Sequence, residues 1–299
     1  MSTGQVIGFI GIGNMGWPMA ANLIGSGWKL VVNDLSRERV KGFCKEYGAA
    51  EATSNAELAH QSDIVILMLP SSAADEQALL GNDGVLPGLR QHSLVIDMTS
   101  GNPAKTKESA RKVAEARSTM IDAPVSGGVP RARTGDLSIM VGGEPDAINR
   151  AEPVLKCLGS SIIRCGALGT AHAKKALNNL LSAAGYLIGI EALLIGKKFG
   201  LDPATMVDIF NVSTGSNGAT QRKFKQMVLS RTFDSGFGLD LMVKDLTIAM
   251  EIARDGATPA PFASLCREMW VAAQQMLGHG HDHTEMALLL EKITKTELR

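Results

Sequence analysis

The stretch Val6-Ile-Gly-Phe-Ile-Gly11-Ile-Gly13-Asn-Met-Gly16 is the strongest indication of how this chain folds. It begins as a continuous apolar run, passes through three glycines at G-x-G-x-x-G spacing and leads into an amphipathic segment. In this pattern the first glycine allows a tight turn, the second lets backbone approach a pyrophosphate, and the third lets helix and strand pack closely. We therefore predict a strand, a dinucleotide-binding turn and a helix. The predicted cofactor contacts here are Gly11, Ile12, Gly13, Asn14, Met15 and Gly16.

Asp34 ends the next apolar run and bears on the choice of cofactor. A carboxylate at this place accepts hydrogen bonds from a ribose 2′-hydroxyl and repels a 2′-phosphate, so NAD is favoured. Arg37 and Arg39 follow closely and either reach a 2′-phosphate or remain solvated on a helix. NADP therefore stays possible.

The first half of the chain alternates short apolar runs with amphipathic segments, which predicts βαβ units and a doubly wound parallel sheet. The predicted strands lie in VIGFI, KLVVN, DIVILML, SLVID, TMIDAP, DLSIMVGG and SSIIRCG, and the predicted helices include 15–26, 36–47 and 103–115. This gives an α/β Rossmann domain over residues 1–165.

After Gly166 the pattern becomes helical, which predicts an all-α domain over residues 166–299. It begins with a long helix from about Thr170 to Lys198, roughly 40 Å at 1.5 Å per residue, that joins the domains. Asp202 and Pro203 have the types preferred at an N-cap and at the first helical position.

Composition points to a small-molecule partner. The 299 residues are 45% hydrophobic and 20% charged, and 30 basic side chains balance 30 acidic ones, which favours neither nucleic acid nor an anionic membrane. Four scattered cysteines and the lack of a charged leader predict a cytoplasmic protein with reduced thiols. The apolar run 180–196 contains Glu191, which favours a buried helix over a membrane span.

The long helix carries a polar pair near its start. Lys175 and Asn179 are four residues apart and share one face. On the opposite face, which we expect to be buried, lie Leu177, Leu180, Leu181, Ala184 and Ile188. An amine in that position can transfer the proton that an alcohol loses when its carbon gives up a hydride. A lysine at a helix end that merely reaches solvent is the structural alternative.

Two further segments carry candidate ligand groups. In Asp122-Ala-Pro-Val-Ser-Gly-Gly128, a hydroxyl followed by two glycines exposes backbone N–H groups that suit a carboxylate, although a plain turn would look the same. Leu69, Pro70, Thr99 and Ser100 follow strands at the carboxyl edge of the sheet, where cofactors lie in open α/β folds.

Together these motifs resemble the β-hydroxyacid dehydrogenase family over essentially the whole chain. The stretch from Gly166 to Asn179 resembles its catalytic signature GxxGxGxxxKxxxN, with Ala171 in place of the third glycine. The resemblance implies that Lys175, rather than its neighbour Lys174, is the general acid/base and that Asn179 orients it or the substrate. It also implies that Ser126, Gly127 and Gly128 bind the substrate carboxylate and that Lys244 contacts the nicotinamide side. Family members are homodimers or homotetramers, so we expect one of these.

Three other features leave alternatives open. His279, His281 and His283 alternate in a glycine-rich loop without fixed ligand geometry, so we predict no metal. His172 lies off the face of Lys175 and is expected to serve the helix start. The pair Arg131 and Arg133 either extends an anion site towards a larger or doubly charged substrate or is exposed.

The leading hypothesis is an NAD-dependent dehydrogenase that interconverts a short 3-hydroxy carboxylic acid and its semialdehyde or ketone. An NADPH-dependent reductase of small aldehyde acids, such as tartronate or succinic semialdehyde, is the alternative among enzymes. A dinucleotide-binding sensor or scaffold without turnover is the alternative of another class. Lysine and asparagine in helical register favour an enzyme.

Overall fold

The computed structural model describes residues 4–299 and divides into two compact units, Met1–Lys175 and Ala176–Arg299. This division falls inside the long helix, whereas the predicted domain boundary after Cys165 lies before it. The first three residues of the predicted 1–165 domain lie outside the described part of the chain. The four cysteines are free thiols, and the cytoplasmic location stays a prediction.

Nine strands of the described residues form one sheet in the N-terminal unit, in the order β3-β2-β1-β4-β5-β6-β8-β7 with β9 paired to β8. Their bounds are β1 Val6–Ile10, β2 Lys29–Asn33, β3 Ala50–Glu51, β4 Ile64–Leu67, β5 Leu94–Asp97, β6 Thr119–Asp122, β7 Val125–Ser126, β8 Ser138–Gly142 and β9 Ser161–Gly166. The pairs from β3 through β6 are parallel, which confirms the predicted α/β sheet. These strands are largely buried except for β3, whose two residues are exposed.

The sheet departs from the prediction at one end, where β8 runs antiparallel to both β6 and β7. A parallel neighbour needs a long crossover, whereas the connection from β7 to β8 contains only one short helix and returns directly. The strands β3 and β7 have only two residues each, so a periodic sequence pattern cannot predict them.

Helices cover both faces of this sheet, where apolar clusters form the core. Ser36 and Asn102 cap two of them through side-chain oxygens, as their residue types predict. The bounds are α1 Gly16–Gly25, α2 Arg37–Tyr47, α3 Asn55–Gln61, α4 Ser72–Leu80, α5 Val85–Gly88, α6 Pro103–Glu115, α7 Gly128–Arg133 and α8 Pro145–Leu155.

The C-terminal unit is helical, as predicted, around a core that includes Tyr186, Phe224 and Trp270. After the long helix α9, Thr170–Phe199, come α10 Pro203–Val212, α11 Gly218–Arg222, a π-helix Phe224–Leu229, α12 Leu239–Asp255, α13 Pro261–Leu277, a 3₁₀ turn His283–Glu285 and α14 Met286–Thr294. Asp202 caps α10 by accepting from the Thr205 N–H at 2.7 Å, with Pro203 following it, as expected.

The burial of α9 departs from the prediction, since of the expected apolar face only Leu180 and Ala184 are half-buried against the core. Leu177, Leu181 and Ile188, which we expected to be buried, are 46%, 76% and 53% exposed. Lys175 and Asn179 on the other face are each only 7% exposed. Within the described residues α9 alone is long and apolar enough to cross a membrane, a test of length and composition only, and half of that segment is buried in the protein.

Candidate active site

The glycine turn after β1 forms one wall of a cleft of about 880 Å³ in the N-terminal unit. A Cβ on Gly11 would lie 2.4 Å from the Met68 carbonyl oxygen, and one on Gly16 would lie 1.9 Å from the Gly11 carbonyl oxygen. Gly13, by contrast, faces open space, with nothing within 4 Å of its Cβ position. The turn is therefore packed by the first and third glycines and leaves room for a pyrophosphate at the second, as its spacing predicts.

Asp34 lies in the same cleft and braces the glycine turn. Its Oδ2 accepts from the Ile12 N–H at 2.9 Å, and its Oδ1 accepts from the Ser36 N–H at 2.9 Å. Arg39 also lines the cleft and lies 3.2 Å from Asp34 Oδ1. A carboxylate has about four acceptor positions, so Asp34 retains capacity for a ribose hydroxyl.

The Arg37 guanidinium is held by hydrogen bonds to neighbouring oxygens. Its Nη1 donates to the Ala52 carbonyl oxygen at 2.9 Å and to Asn33 Oδ1 at 3.2 Å, and its Nη2 donates to the Thr53 carbonyl oxygen. Of the two arginines, Arg39 is therefore the one whose guanidinium faces the cleft.

The loops after β4 and β5 are tied together beneath the cleft. The Leu69 N–H donates to Thr99 Oγ1 at 3.0 Å, and that hydroxyl donates to Asp75 Oδ1 at 2.8 Å. The Thr99 N–H also donates to Asp97 Oδ1 at 3.0 Å. Burial, with nearby Asp75, raises the pKa of Asp97 well above its usual range. Sequence patterns did not single out these two aspartates; Asp75 reaches Thr99 from helix α4, 24 residues earlier in the chain.

The first turn of α9 is held by Asp122 at the end of β6. Its carboxylate accepts from the Gly169 and His172 N–H groups, each at 2.8 Å, and burial raises its pKa. The His172 ring is buried, with Nδ1 at 2.8 Å from Thr106 Oγ1. Ala171, which replaces a family glycine, is fully buried within α9 and does not need a positive φ.

The predicted carboxylate-binding turn follows β7. Gly127 and Gly128 have φ of 135° and 68°, values that side chains rarely adopt, so the turn depends on glycine. The Arg131 side chain packs against Gly127, and its Nε donates to Asp136 Oδ2 at 3.1 Å. This ion pair gives Arg131 a partner within its own segment.

Asn179 is oriented by a residue that sequence analysis missed. Its Nδ2 donates to Oδ2 of Asp245 at 2.5 Å, and Asp245 is only 1% exposed. Asn179 Oδ1 accepts from Asn178 Nδ2 at 3.2 Å, so the amide has its oxygen turned away from Asp245. Lys174, the neighbour set aside in favour of Lys175, is exposed and donates to the Cys165 carbonyl oxygen at 2.9 Å.

Lys244 belongs to the same local group, since its Nζ lies 3.2 Å from Asp245 Oδ1. One feature of the sequence could have indicated Asp245: it is an acidic residue in the apolar pattern of α12, next to the candidate residue Lys244. The short hydrogen bond spans 66 residues of sequence, which no local pattern reveals.

The three histidines of the 279–283 loop each have a partner. His279 Nδ1 is 2.9 Å from Asp240 Oδ1, and His281 Nδ1 is 2.8 Å from Glu285 Oε2. His283 is buried and lies 2.8 Å from the Lys223 amine. Within residues 4–299 no group of three or more His, Cys, Asp or Glu side chains has an arrangement that could hold a metal ion.

A Rossmann-type sheet with this glycine turn, an acid after β2 and a buried lysine and asparagine on α9 defines a nicotinamide-dinucleotide-dependent oxidoreductase. Family models agree with this class. Residues 6–166 match the NAD-binding domain of 6-phosphogluconate dehydrogenase, and residues 169–290 match the NAD-binding domain of NADP-dependent 3-hydroxyisobutyrate dehydrogenase.

Relatives agree as well. The mitochondrial 3-hydroxyisobutyrate dehydrogenase of Mus musculus is 35% identical, over 99% of this chain and 89% of its own length. The 2-(hydroxymethyl)glutarate dehydrogenase of Eubacterium barkeri is 34% identical, over 96% of this chain and 95% of its own. The solved structure of 3-hydroxyisobutyrate dehydrogenase from Mycobacterium tuberculosis superimposes with a TM-score of 0.87 at 29% identity, covering 97% of this chain and 99% of its own.

The chain belongs to the β-hydroxyacid dehydrogenase family. It is an NAD(P)-dependent oxidoreductase that acts on the CH–OH group of hydroxyacids, which confirms the dehydrogenase activity of the leading hypothesis over the non-catalytic sensor. The preference for NAD stays a prediction.

Proposed function

We propose that the enzyme interconverts a short 3-hydroxy carboxylic acid and its semialdehyde, with Lys175 as the general acid/base. The observation that carries this proposal is the buried pair Lys175 and Asn179 on one face of α9, with the Asn179 amide oriented by Asp245. An amine held beside the substrate hydroxyl can take up its proton on oxidation and return it on reduction.

In this proposal each group of the chain has a separate task. Lys175 takes the hydroxyl proton on oxidation and returns it on reduction. Asn179 keeps its amide oxygen available as an acceptor, because Asp245 holds the nitrogen. Ser126, Gly127 and Gly128 bind the substrate carboxylate through their hydroxyl and backbone N–H groups. A bound nicotinamide ring supplies or accepts the hydride.

A substrate panel tests the proposal, with nicotinamide absorbance as the measurement. We expect turnover of 3-hydroxyisobutyrate or 2-(hydroxymethyl)glutarate, which the names of two relatives suggest, in preference to 2-hydroxy acids of equal size. The alternative, a reductase of tartronate or succinic semialdehyde with NADPH, is tested in the reverse direction. If no 3-hydroxy acid or semialdehyde is turned over with either cofactor, the proposal is wrong.

We further propose that the preferred cofactor is NAD. Asp34 supports this because its carboxylate lies in the cleft with acceptor capacity to spare. Some use of NADP is also expected, because the Arg39 guanidinium faces the same cleft and can pair with a 2′-phosphate. The proposed cofactor contacts remain those of the glycine turn with Asp34, Leu69, Pro70, Thr99, Ser100 and Lys244.

Asp34→Asn is expected to lower kcat/KM with NAD by about 10- to 100-fold, because hydrogen bonds to a charged group contribute about 1.5–3 kcal/mol. The same change should raise kcat/KM with NADP, since it removes the charge that repels a 2′-phosphate. Arg39→Gln is the counterpart, expected to reduce the use of NADP more than that of NAD. Thermal unfolding of both variants checks the glycine turn, and an unchanged NAD/NADP ratio in Asp34→Asn contradicts the assignment.

We also propose that the enzyme is a homodimer formed through the exposed face of α9. This apolar stripe consists of Leu177, Leu181, Ile188, Ile195 and Phe199, which are 46–84% exposed. The largest exposed apolar patch on a monomer typically covers about 300–600 Å² and is often functional. The stripe is roughly 33 Å long and 10 Å wide, so its area is about 330 Å². This is less than half of the about 800 Å² that each partner buries in a stable interface. Leu201, Ile209 and Val212, which follow α9 in the sequence, are also exposed.

The spacing of the apolar stripe favours a second copy of this chain as its occupant. Successive members lie four, seven, seven and four residues apart, so the order is the same from either end of the helix. Two antiparallel copies related by a two-fold axis at Ile188 therefore place Leu177 opposite Phe199 and Leu181 opposite Ile195. Such self-complementarity is what a symmetric dimer interface requires.

A further inference from the structure

A lysine that no sequence motif includes, Lys223, is directed into the C-terminal unit. It lies between α11 and the π-helix Phe224–Leu229, with φ of −127° and ψ of −42°, outside regular helical geometry. π-Helical turns are rare and are frequent at functional sites. Lys223 is half-buried, and its Nζ lies 2.8 Å from Nε2 of His283.

His283 orients this ammonium without neutralising it. Its Nδ1 lies 3.1 Å from the Phe237 carbonyl oxygen, an obligatory acceptor, so Nδ1 carries the proton and Nε2 accepts from Lys223. Rings of Tyr186, Phe237 and Trp270 surround the imidazole at 5.6–6.3 Å between centroids. Burial, with the Lys223 charge, lowers the pKa of His283 to about 4, so the ring is neutral at physiological pH.

Acidic groups nearby do not compensate the charge of Lys223 directly. Over residues 4–299 there is no carboxylate oxygen within 4.0 Å of its Nζ. The acidic neighbour, Asp282, is engaged: Oδ1 accepts from the Thr284 N–H at 2.8 Å, and Oδ2 accepts from the Gly236 N–H at 2.9 Å. Burial, and then the adjacent Arg222, lowers the pKa of Lys223 to about 8, although Asp282 acts in the opposite direction.

We propose that Lys223, oriented by His283, is the cationic group of a carboxylate-binding site in the C-terminal unit. An ammonium has three N–H donors, and His283 accepts from one of them. Lysines are rarely buried without a paired charge, and a carboxylate supplies both the missing charge and acceptors for the remaining donors. The ligand is either the second carboxylate of a dicarboxylic hydroxyacid, in which case the inference rests on the proposed function, or a free carboxylate.

The first experiment distinguishes these two sources by kinetics. If the ligand is the second carboxylate of the substrate, Lys223→Met lowers kcat/KM for 2-(hydroxymethyl)glutarate at least tenfold more than for 3-hydroxyisobutyrate. Lys225→Met is the matched control, because Lys225 pairs with Asp208 at 2.5 Å on the surface, and it should keep the parent ratio. If the ligand is a free carboxylate, the substrate ratio is the same in parent and Lys223→Met.

The second experiment needs no turnover, so it also decides the inference if the proposed function fails. Glutarate and propionate are titrated calorimetrically into the protein at pH 8.5 in buffers of different ionisation enthalpy. Lys223 is partly neutral there, so a carboxylate bound to it causes proton uptake, which Lys223→Met abolishes. Lys223→Arg should still bind the carboxylate without proton uptake, because arginine stays charged.

If Lys223 served only to hold His283 in place, Lys223→Met would be less stable than the parent. The inference predicts the opposite. Removing a half-buried charge should leave Lys223→Met at least as stable as the parent at pH 7. The difference should shrink as pH rises from about 8 towards the ordinary lysine value of 10.5, where the folded parent has already lost the proton. If proton uptake, carboxylate affinity and the dicarboxylate-to-monocarboxylate ratio of Lys223→Met all equal those of the parent, the inference is overturned.

Discussion

Replacing Lys175 by alanine is expected to lower kcat by about 10²–10⁴-fold, the usual contribution of a positioned general acid or base. The hydroxyl proton of the substrate then has no amine within reach, and Lys175 is only 7% exposed, so bulk water is a poor substitute. NAD binding, measured by titration without substrate, should stay unchanged because the proposed cofactor contacts lie in other segments. The measurement is nicotinamide absorbance with the best 3-hydroxy acid.

Lys174→Ala is the matched control for this experiment. The two lysines are neighbours on α9, but the Lys174 side chain is exposed and donates to the Cys165 carbonyl oxygen. Its loss removes a surface hydrogen bond, and turnover should remain within a factor of a few of the parent. An alanine variant at Lys175 that turns over as fast as the parent would show that the proton is moved by another group.

Leu181→Glu is expected to convert the protein from a dimer to a monomer at micromolar concentration. The two-fold axis places two copies of the new carboxylate in one apolar interface, and removing a carboxylate from water costs several kcal/mol. Analytical ultracentrifugation measures the mass, which should fall from twice the chain's 31.6 kDa to that value. Ile163→Glu, on the half-exposed strand residue of β9, is the control and should leave the mass unchanged.

A pair of charges tests the symmetry of the proposed interface. Since Leu181 of one copy faces Ile195 of the other, the double variant Leu181→Lys with Ile195→Glu should dimerise again through two ion pairs. The like-charged pair, Leu181→Glu with Ile195→Glu, should stay monomeric. Dimerisation of both pairs to the same extent would rule out this antiparallel arrangement, and an unchanged mass of Leu181→Glu would rule out the stripe as the interface.

Much of the secondary structure of the N-terminal unit can be predicted from the sequence, because it depends on local patterns of residues. Strands β1 and β2 and helix α6 have the bounds that the apolar runs VIGFI and KLVVN and the amphipathic segment 103–115 predict. The glycine turn needs only residues 11–16 and the strand before them. The candidate site can be predicted from the sequence only in part. Lys175 and Asn179 are found from their spacing of four residues on one helix, whereas the residues that contact them come from distant segments.

Local sequence is enough to predict the longer strands and helices, the dinucleotide turn and the shared face of Lys175 and Asn179, because each depends on contacts within a few residues. Tertiary packing selects which face of α9 is buried, because a helix with apolar residues on both sides can pack either way. It also decided that Asp245 holds Asn179 and that His283 holds Lys223. These pairs are 66 and 60 residues apart in sequence, and only packing of the whole unit brings their atoms within hydrogen-bonding distance.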